Sequence, residues 1–367
     1  TAGVVVATLQ TGDEPADVVF AGTPARAFVT CSAINTLQVF DPIALGAPVA
    51  QVILDAEDPR ALAVSPAGDK VYAAIFESGN GTSILGGGHA SNRNVFPPNV
   101  VDDPDTPHGG VAPHPNNGDA FYPPRPGDQP APPRVSLIVR QGEDGRWRDD
   151  TGDDWTDWVS GEKAPNSGRP VGWTLLDNDV AVIAAETLNV SYIERLMNAN
   201  MHVAVHPISG EVSVVGLDAT NEIRFEPVLR GTFVRALLAF ADEDTSEVTD
   251  LNSGHLDYET FRVPQSQRDL SVGDPRAIQW LPNGSRAYVA GMGSNNLVVV
   301  DEDGDRVGSP IEIGEGPTGL ALNETSGLLY GLNRFDAEVA VVDTGDNSIV
   351  ARVPFYDATP EVIRVGR

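Results

Sequence analysis

Four segments of the chain share one spacing, and no other feature limits the possible folds as strongly. A proline is followed thirteen residues later by an aromatic residue: Pro15 and Phe28, Pro59 and Tyr72, Pro275 and Tyr288, Pro317 and Tyr330. In three of them a further thirteen residues lead to an aspartate, namely Asp41, Asp301 and Asp343. The step from that aspartate to the next proline is 18 residues to Pro59, 16 to Pro317 and 17 to Pro360, giving a period of 42 to 44. Fixed internal spacing with one variable joint marks a repeat architecture.

Each unit reads as four strands. A short apolar strand follows the proline (Leu62-Ala63-Val64; Leu320-Ala321-Leu322), then a turn such as Leu281-Pro282-Asn283-Gly284. The second strand carries the aromatic residue, the third is β-branched and ends in aspartate (Val298-Val299-Val300-Asp301), and a fourth edge strand follows (Ile349-Val350-Ala351-Arg352-Val353). Four antiparallel strands per period make one blade of a β-propeller, and radial stacking of blades buries both faces of each sheet. The expected fold is therefore all-β, one propeller domain over residues 1–367. Seven blades are favoured and six are possible, because the irregular middle is expected to hide one more. Residues 3–9 are expected to form an outer strand closing the ring, and Pro360 to begin a last, incomplete repeat. That break makes the chain look like a fragment of something longer.

The middle departs from the repeat. Residues 86–134 are crowded with Gly, Pro, Asn and Asp and read as a long loop insertion, expected to be an ordered cap over one face of the ring. Residues 141–173 form an irregular segment holding Trp147, Trp155, Trp158 and Trp173, and residues 242–272 read as a polar loop.

Residues 59–72, and residues 275–301 with Gly293-Ser294-Asn295-Asn296 inside them, resemble the YVTN β-propeller repeat. The resemblance extends over residues 10–75 and 273–362, and less fully over 178–215, where Asn200 stands in the place of the proline. It implies a fold and hardly any function. A second resemblance rests on Asp177-Asn178-Asp179-Val180-Ala181-Val182, Leu196-Met197-Asn198, Asp218-Ala219-Thr220-Asn221-Glu222 and Gly291-Met292-Gly293-Ser294-Asn295-Asn296. These are similar to segments of large secreted bacterial propeller proteins, in some of which a cytochrome c-type domain bearing Cys-x-x-Cys-His follows the propeller. Residues 360–367 resemble the lead-in to that domain. The resemblance implies a periplasmic or extracellular location and a downstream haem domain as partner. No Cys-x-x-Cys-His occurs here, so any haem c would lie beyond Arg367 and no haem belongs to these residues.

Charge narrows the partners. The formal net charge is −28, and lysine occurs only at Lys70 and Lys163. Such a field repels phosphate backbones and anionic lipid, which argues against nucleic acid and membrane surfaces as partners and fits a marine or halotolerant source. No run of 18 apolar residues exists, so no membrane insertion is expected. The chain starts on strand-like residues with no charged and apolar leader ahead of them, as if a signal peptide were removed or left out. Cys31 is the single cysteine, which excludes an internal disulfide, and its place in a strand suits a buried, inert thiol.

Candidate chemistry is sparse. His202 and His206 fall four apart on one strand and so on one face, but about 13 Å apart at roughly 3.3 Å per residue, too far to share a metal without a bend. His108 and His114 lie in the long loop. Asp301, Asp303 and Asp305 resemble the start of a calcium loop, with Glu312 at its twelfth position; the alternative is a hairpin turn with Gly304 at positive φ. No nucleophile elbow, phosphate loop or His-Glu-x-x-His is present. The tryptophans fit either a sugar platform or aromatic core. First strands line the channel of a propeller, and the positions after the proline ring one mouth. These include Arg60 and Arg276 of two Asp-Pro-Arg-Ala runs, together with Asp17 and His202. The arginines either receive an anion or acidic partner segment, or pair with the aspartate of their own turn.

Three functions stay open. The leading one is a secreted, non-catalytic binding or scaffold module of a larger c-type haem oxidoreductase, with Arg60 and Arg276 at the contact mouth. The others are a lactonase-like metal-dependent hydrolase with its site in the channel, and a structural cell-surface propeller.

Overall fold

A computed structural model describes residues 4–85, 105, 107, 137–142, 144–149, 152–166, 176–219, 232–243, 245–258, 260 and 263–364. Most of the 86–134 insertion, with His89, His108 and His114, and also Trp173, lies outside the described residues.

The first sheet takes β1 (Pro15–Ala21), β2 (Arg26–Cys31), β3 (Thr36–Phe40) and β4 (Ala50–Ile53) in chain order. The second begins with β5 (Glu57–Val64) and β6 (Lys70–Glu77) and is then interrupted by an insertion. That insertion carries its own three-stranded sheet, β7 (Thr82–Leu85), β8 (Leu137–Gln141) and β9 (Trp147–Arg148), and a one-turn helix α1 (Thr156–Val159). The second sheet resumes with β10 (Val180–Ala184), which pairs antiparallel with β6, and ends with β11 (Val190–Ile193). The third sheet is β12 (Ala199–Val205), β13 (Val212–Ala219), β14 (Val234–Ala241) and β15 (Ser246–Asp250). The fourth is β16 (Pro275–Trp280), β17 (Arg286–Gly291), β18 (Asn296–Asp301) and β19 (Ile311–Glu312), and the fifth β20 (Pro317–Asn323), β21 (Leu328–Asn333), β22 (Glu338–Asp343) and β23 (Ile349–Pro354).

The repeat residues explain themselves in this frame. Each first strand breaks register just after Pro15, Pro59, Asn200, Pro275 or Pro317. Proline cannot donate to the ladder and is tolerated at such a bulge. The residue ahead of the four prolines is left-handed, with φ of 54° at Glu14, 58° at Asp58, 48° at Asp274 and 67° at Gly316. The aspartate that ends the third strand caps the next turn. Asp41 Oδ1 accepts the amides of Ile43 and Ala44, Asp301 Oδ1 those of Asp303 and Asp305, and Asp343 Oδ1 that of Gly345.

Apolar residues join neighbouring sheets into four cores. Phe28, Leu37 and Ile183 belong to the core between the first and second sheets, and Tyr72, Val180 and Val214 to that between the second and third. Leu238, Trp280 and Val300 lie between the third and fourth, and Tyr288, Leu329 and Val342 between the fourth and fifth. The five first strands contact one another in series, so the sheets fan around a common axis.

Five four-stranded sheets, plus the short sheet of the insertion, are present among the described residues, which is consistent with six or seven blades. Other expectations change. Residues 4–9 make no strand, pair with no strand among the described residues, and leave Val4, Val5 and Val6 exposed. After Pro360 a short helix, α2 (Glu361–Arg364), stands where a first strand was expected. Within 242–272, residues 246–250 are the fourth strand β15; Glu247 alternates with valine and threonine there, which hid a solvent-facing edge strand.

Candidate functional site

Strand direction brings one set of ends together. β5 and β12 begin, and β6, β11 and β13 end, at the same end of the second and third sheets. The insertion sits there. Asn80, just past β6, donates from Nδ2 to Asp218 Oδ1 at 2.9 Å and to the Ala219 carbonyl at 3.0 Å, at the end of β13. Arg140 on β8 lies 3.3 Å from the second oxygen of Asp218. The described part of the insertion has its own small core of Leu85, Val139, Trp155, Trp158 and Val159, and Trp155 Nε1 donates to Asp149 Oδ2 at 2.8 Å. Trp155 and Trp158 are thus core, as their burial requires, and offer no open sugar platform.

Between the insertion and the sheet ends lies a cleft of about 410 Å³. Asn80, Arg140, Arg148, Asp149, Asp177 and Arg195 line it, with Leu196 and Met197 at its base. Arg148 is committed to Asp144 through two hydrogen bonds of 2.9 and 2.6 Å, which hold that carboxyl well below the usual range. Arg140 is committed to Asp218. Arg195 is different: it is exposed, and among the described residues its guanidinium makes no hydrogen bond. Its backbone is left-handed, φ 67°, and its amide donates to Asp177 Oδ1 at 3.4 Å. That turn projects the side chain over the cleft.

A carboxyl pair underlies the turn. Asp179 is fully buried and accepts the Leu196 amide at 2.7 Å and Asn200 Nδ2 at 3.0 Å. Burial pushes its carboxyl up to about 7, against the lowering effect of those two hydrogen bonds. Burial also raises Asp177. Asp177 lines the cleft, whereas Asp179 lies behind it, bonded to the amide of Leu196 and out of contact with solvent.

The residues singled out from sequence lie elsewhere. Arg60 closes on Asp58 with bonds of 3.0 and 2.6 Å and stacks over Phe76 at 3.8 Å. Arg276 closes on Asp274, 2.8 Å away. They occupy the second and fourth sheets, separated by the third, and each is held by the aspartate of its own turn. Asp17 accepts the Leu62 amide at 2.8 Å, tying β1 to β5. His202 is held below its ordinary pKa by burial, with the charge of Asp17 opposing, and its Nδ1 has no partner among the described residues. His206 is used separately: Nε2 is 2.9 Å from the Gly284 carbonyl, and the ring packs edge-on against Trp280 at 4.6 Å. Asp301, Asp303 and Asp305 form the hairpin turn described above. Among the described residues no three His, Cys, Asp or Glu side chains are grouped to hold a metal ion. Arg195 carries no sequence signal, while Asp177 and Asp179 belong to the run 177–182 that carries the second resemblance, where nothing marks them as site residues.

No known family's sequence profile matches the chain, and no curated protein matches it in sequence. Solved structures do match in shape. Hydrazine synthase of Kuenenia stuttgartiensis superposes with a TM-score of 0.51 at 14% identity, over 92% of this chain and 73% of that one. The fold is a β-propeller. The nidogen/laminin complex aligns with a TM-score of 0.47 at 9% identity, over 93% of this chain and 80% of that one. The Myceliophteria thermophila Cps50 (Swd1) β-propeller domain gives 0.46 at 10%, over 98% and 76%. Such identities speak to the fold alone. In propeller terms the five sheets are blades, and the cleft lies where the insertion of the second blade meets the rim of the third.

Proposed function

We propose that this propeller is a binding module that holds a carboxylate-bearing segment of a protein partner in the cleft beneath its insertion. The observation that carries this reading is Arg195, an exposed guanidinium with no hydrogen bond among the described residues, aimed over a cleft in a protein of net charge −28. Guanidinium groups bind carboxylates through two parallel hydrogen bonds. The surrounding negative field weakens nonspecific attraction of anions, so geometry at this point would decide the partner. The sheet ends and the small insertion core keep the cleft preformed, which lowers the ordering cost of binding.

Resemblance to secreted propeller proteins that continue into a Cys-x-x-Cys-His domain makes a c-type haem domain the first partner class to try. It also carries our reading of the chain as periplasmic or extracellular. Acidic surface loops of such a domain would supply the carboxylate.

The test uses a fluorescent hexaglutamate peptide and anisotropy at low and moderate ionic strength. Arg195→Ala should weaken binding by 10- to 100-fold, since a charge-assisted pair contributes about 1.5–3 kcal/mol. Its circular dichroism and melting should stay unchanged, because the Arg195 side chain makes no hydrogen bond to any described residue and Ala keeps the amide that bonds Asp177. Equal binding by both proteins, or none by either, would remove the cleft as the site.

A further inference from the structure

The first and fifth blades each carry a face that the repeat elsewhere buries and that no described blade covers. In the register of the repeat, the aromatic residue thirteen places after the proline points at the following blade. Phe28, Tyr72 and Tyr288 are sealed in this way, each 6% exposed or less. Tyr288 Oη also donates to Asn347 Oδ1, 2.7 Å away in the third-to-fourth-strand turn of the next blade. Tyr330 holds the same position in the fifth blade and is only half-buried. On its face Leu332 and Val353 are 40% and 55% exposed.

The opposite end repeats the pattern. Positions three and five after the proline face the preceding blade: Ile278 and Trp280 lie in one inter-blade core, and Leu320 and Leu322 pack against another. Their counterparts in the first blade, Val18 and Phe20, are 51% and 60% exposed. A third observation is independent of both faces. Residues 4–9 are Val-Val-Val-Ala-Thr-Leu, β-rich and without a ladder partner. They end six residues before Pro15, just as β4 ends six residues before Pro59. That is the place of the outermost strand of a preceding blade.

We propose that the ring is completed by further four-stranded blades of the same repeat, contributed by polypeptide outside residues 1–367. These blades seat on the Tyr330 face and the Phe20 face and take residues 4–9 as an outer strand. The interface is the continuation of the four inter-blade cores already present. It calls for branched aliphatic side chains opposite Tyr330 and a turn acceptor for its hydroxyl, as Asn347 provides for Tyr288. A second copy of this chain does not fit. Propellers hold four to eight blades, so an arc of five leaves room for about one to three, and a rigid second arc of five is too wide.

The test compares the 367-residue chain with a version in which residues 360–367 are replaced by a copy of residues 317–354. Urea melts are measured for each with Tyr330→Ala and with Tyr288→Ala. In the extended chain Tyr330→Ala should lower the midpoint as much as Tyr288→Ala does; in the 367-residue chain it should lower it less than a quarter as much. Equal, small effects of Tyr330→Ala in both chains would overturn the proposal. So would an appended copy that protease removes while the five-blade arc stays intact. Sedimentation of the 367-residue chain supplies a separate reading: it should run as a monomer, and a stable dimer that Tyr330→Ala dissociates would overturn the proposal in favour of self-association.

Discussion

Replacing Asp179 by Asn should abolish the pH dependence that this one carboxyl imposes on the fold. The group is fully buried, and burial raises it from 3.8 to about 7. A carboxyl whose pKa is raised on folding binds more protons in the folded state between those two values. Its contribution is therefore fully present below about pH 4 and is lost as pH rises to 7. The full loss is 2.303RT times the shift, on the order of 4 kcal/mol, and more than half of it falls between pH 5 and pH 8. Asp179→Asn removes the titration but also leaves an amide hydrogen facing either the Leu196 N–H or the Asn200 Nδ2 donor. That mismatch costs about 1–3 kcal/mol and is the same at every pH. Urea melts of both proteins from pH 5 to 8 cancel it when the gap between them is followed. The variant should gain on the parent steadily across that range and level off above pH 7. A gap constant to within about 0.5 kcal/mol would mean that Asp179 is ionised in the folded protein throughout, and the burial reasoning would fail.

Tyr288→Phe removes the hydroxyl that donates to Asn347 Oδ1 and, more weakly, to the Thr344 carbonyl, and should cost about 1 kcal/mol in a urea melt, with the blade packing intact. Trp280→Ala removes a buried ring that packs on His206 and Phe240 and donates to Ser213 Oγ at 3.0 Å, so a loss of about 3–5 kcal/mol is expected by chemical denaturation. Calcium in excess over chelator should leave the melting midpoint unmoved at fixed ionic strength, because Asp301 already accepts the amides of Asp303 and Asp305; a rise that follows calcium concentration would instead support a metal site there. Hexaglutamate binding should strengthen as pH falls from 8 to 6, since neutralising Asp179 removes negative charge beneath Arg195; affinity independent of pH would uncouple the two.

The cleft was hardly legible in advance. Its arginines come from two places, Arg140 and Arg148 from the insertion and Arg195 from the turn between β11 and β12, and no spacing links them. They meet because β10 returns to pair with β6 after an excursion of about a hundred residues, which places both chain crossings at one rim. A local pattern cannot signal a contact made by closing so long a loop. The mouth arginines illustrate the converse. The motif Asp-Pro-Arg-Ala marked Arg60 and Arg276, and the same motif supplies the aspartates that hold them.

What the sequence determined by itself is the blade. Proline at the bulge, an aromatic residue thirteen places on and aspartate at the hairpin turn each answer a local requirement of backbone geometry or of the next sheet, so they recur at fixed intervals and can be read without a structure. The tertiary structure alone decided which strands share the interrupted second blade, which carboxyl is buried deeply enough to titrate near neutrality, and which arginine is left exposed over the cleft. These depend on desolvation and on contacts between residues far apart in the chain. Blade formation is written in short-range spacing, whereas burial and charge pairing exist only once the blades have packed.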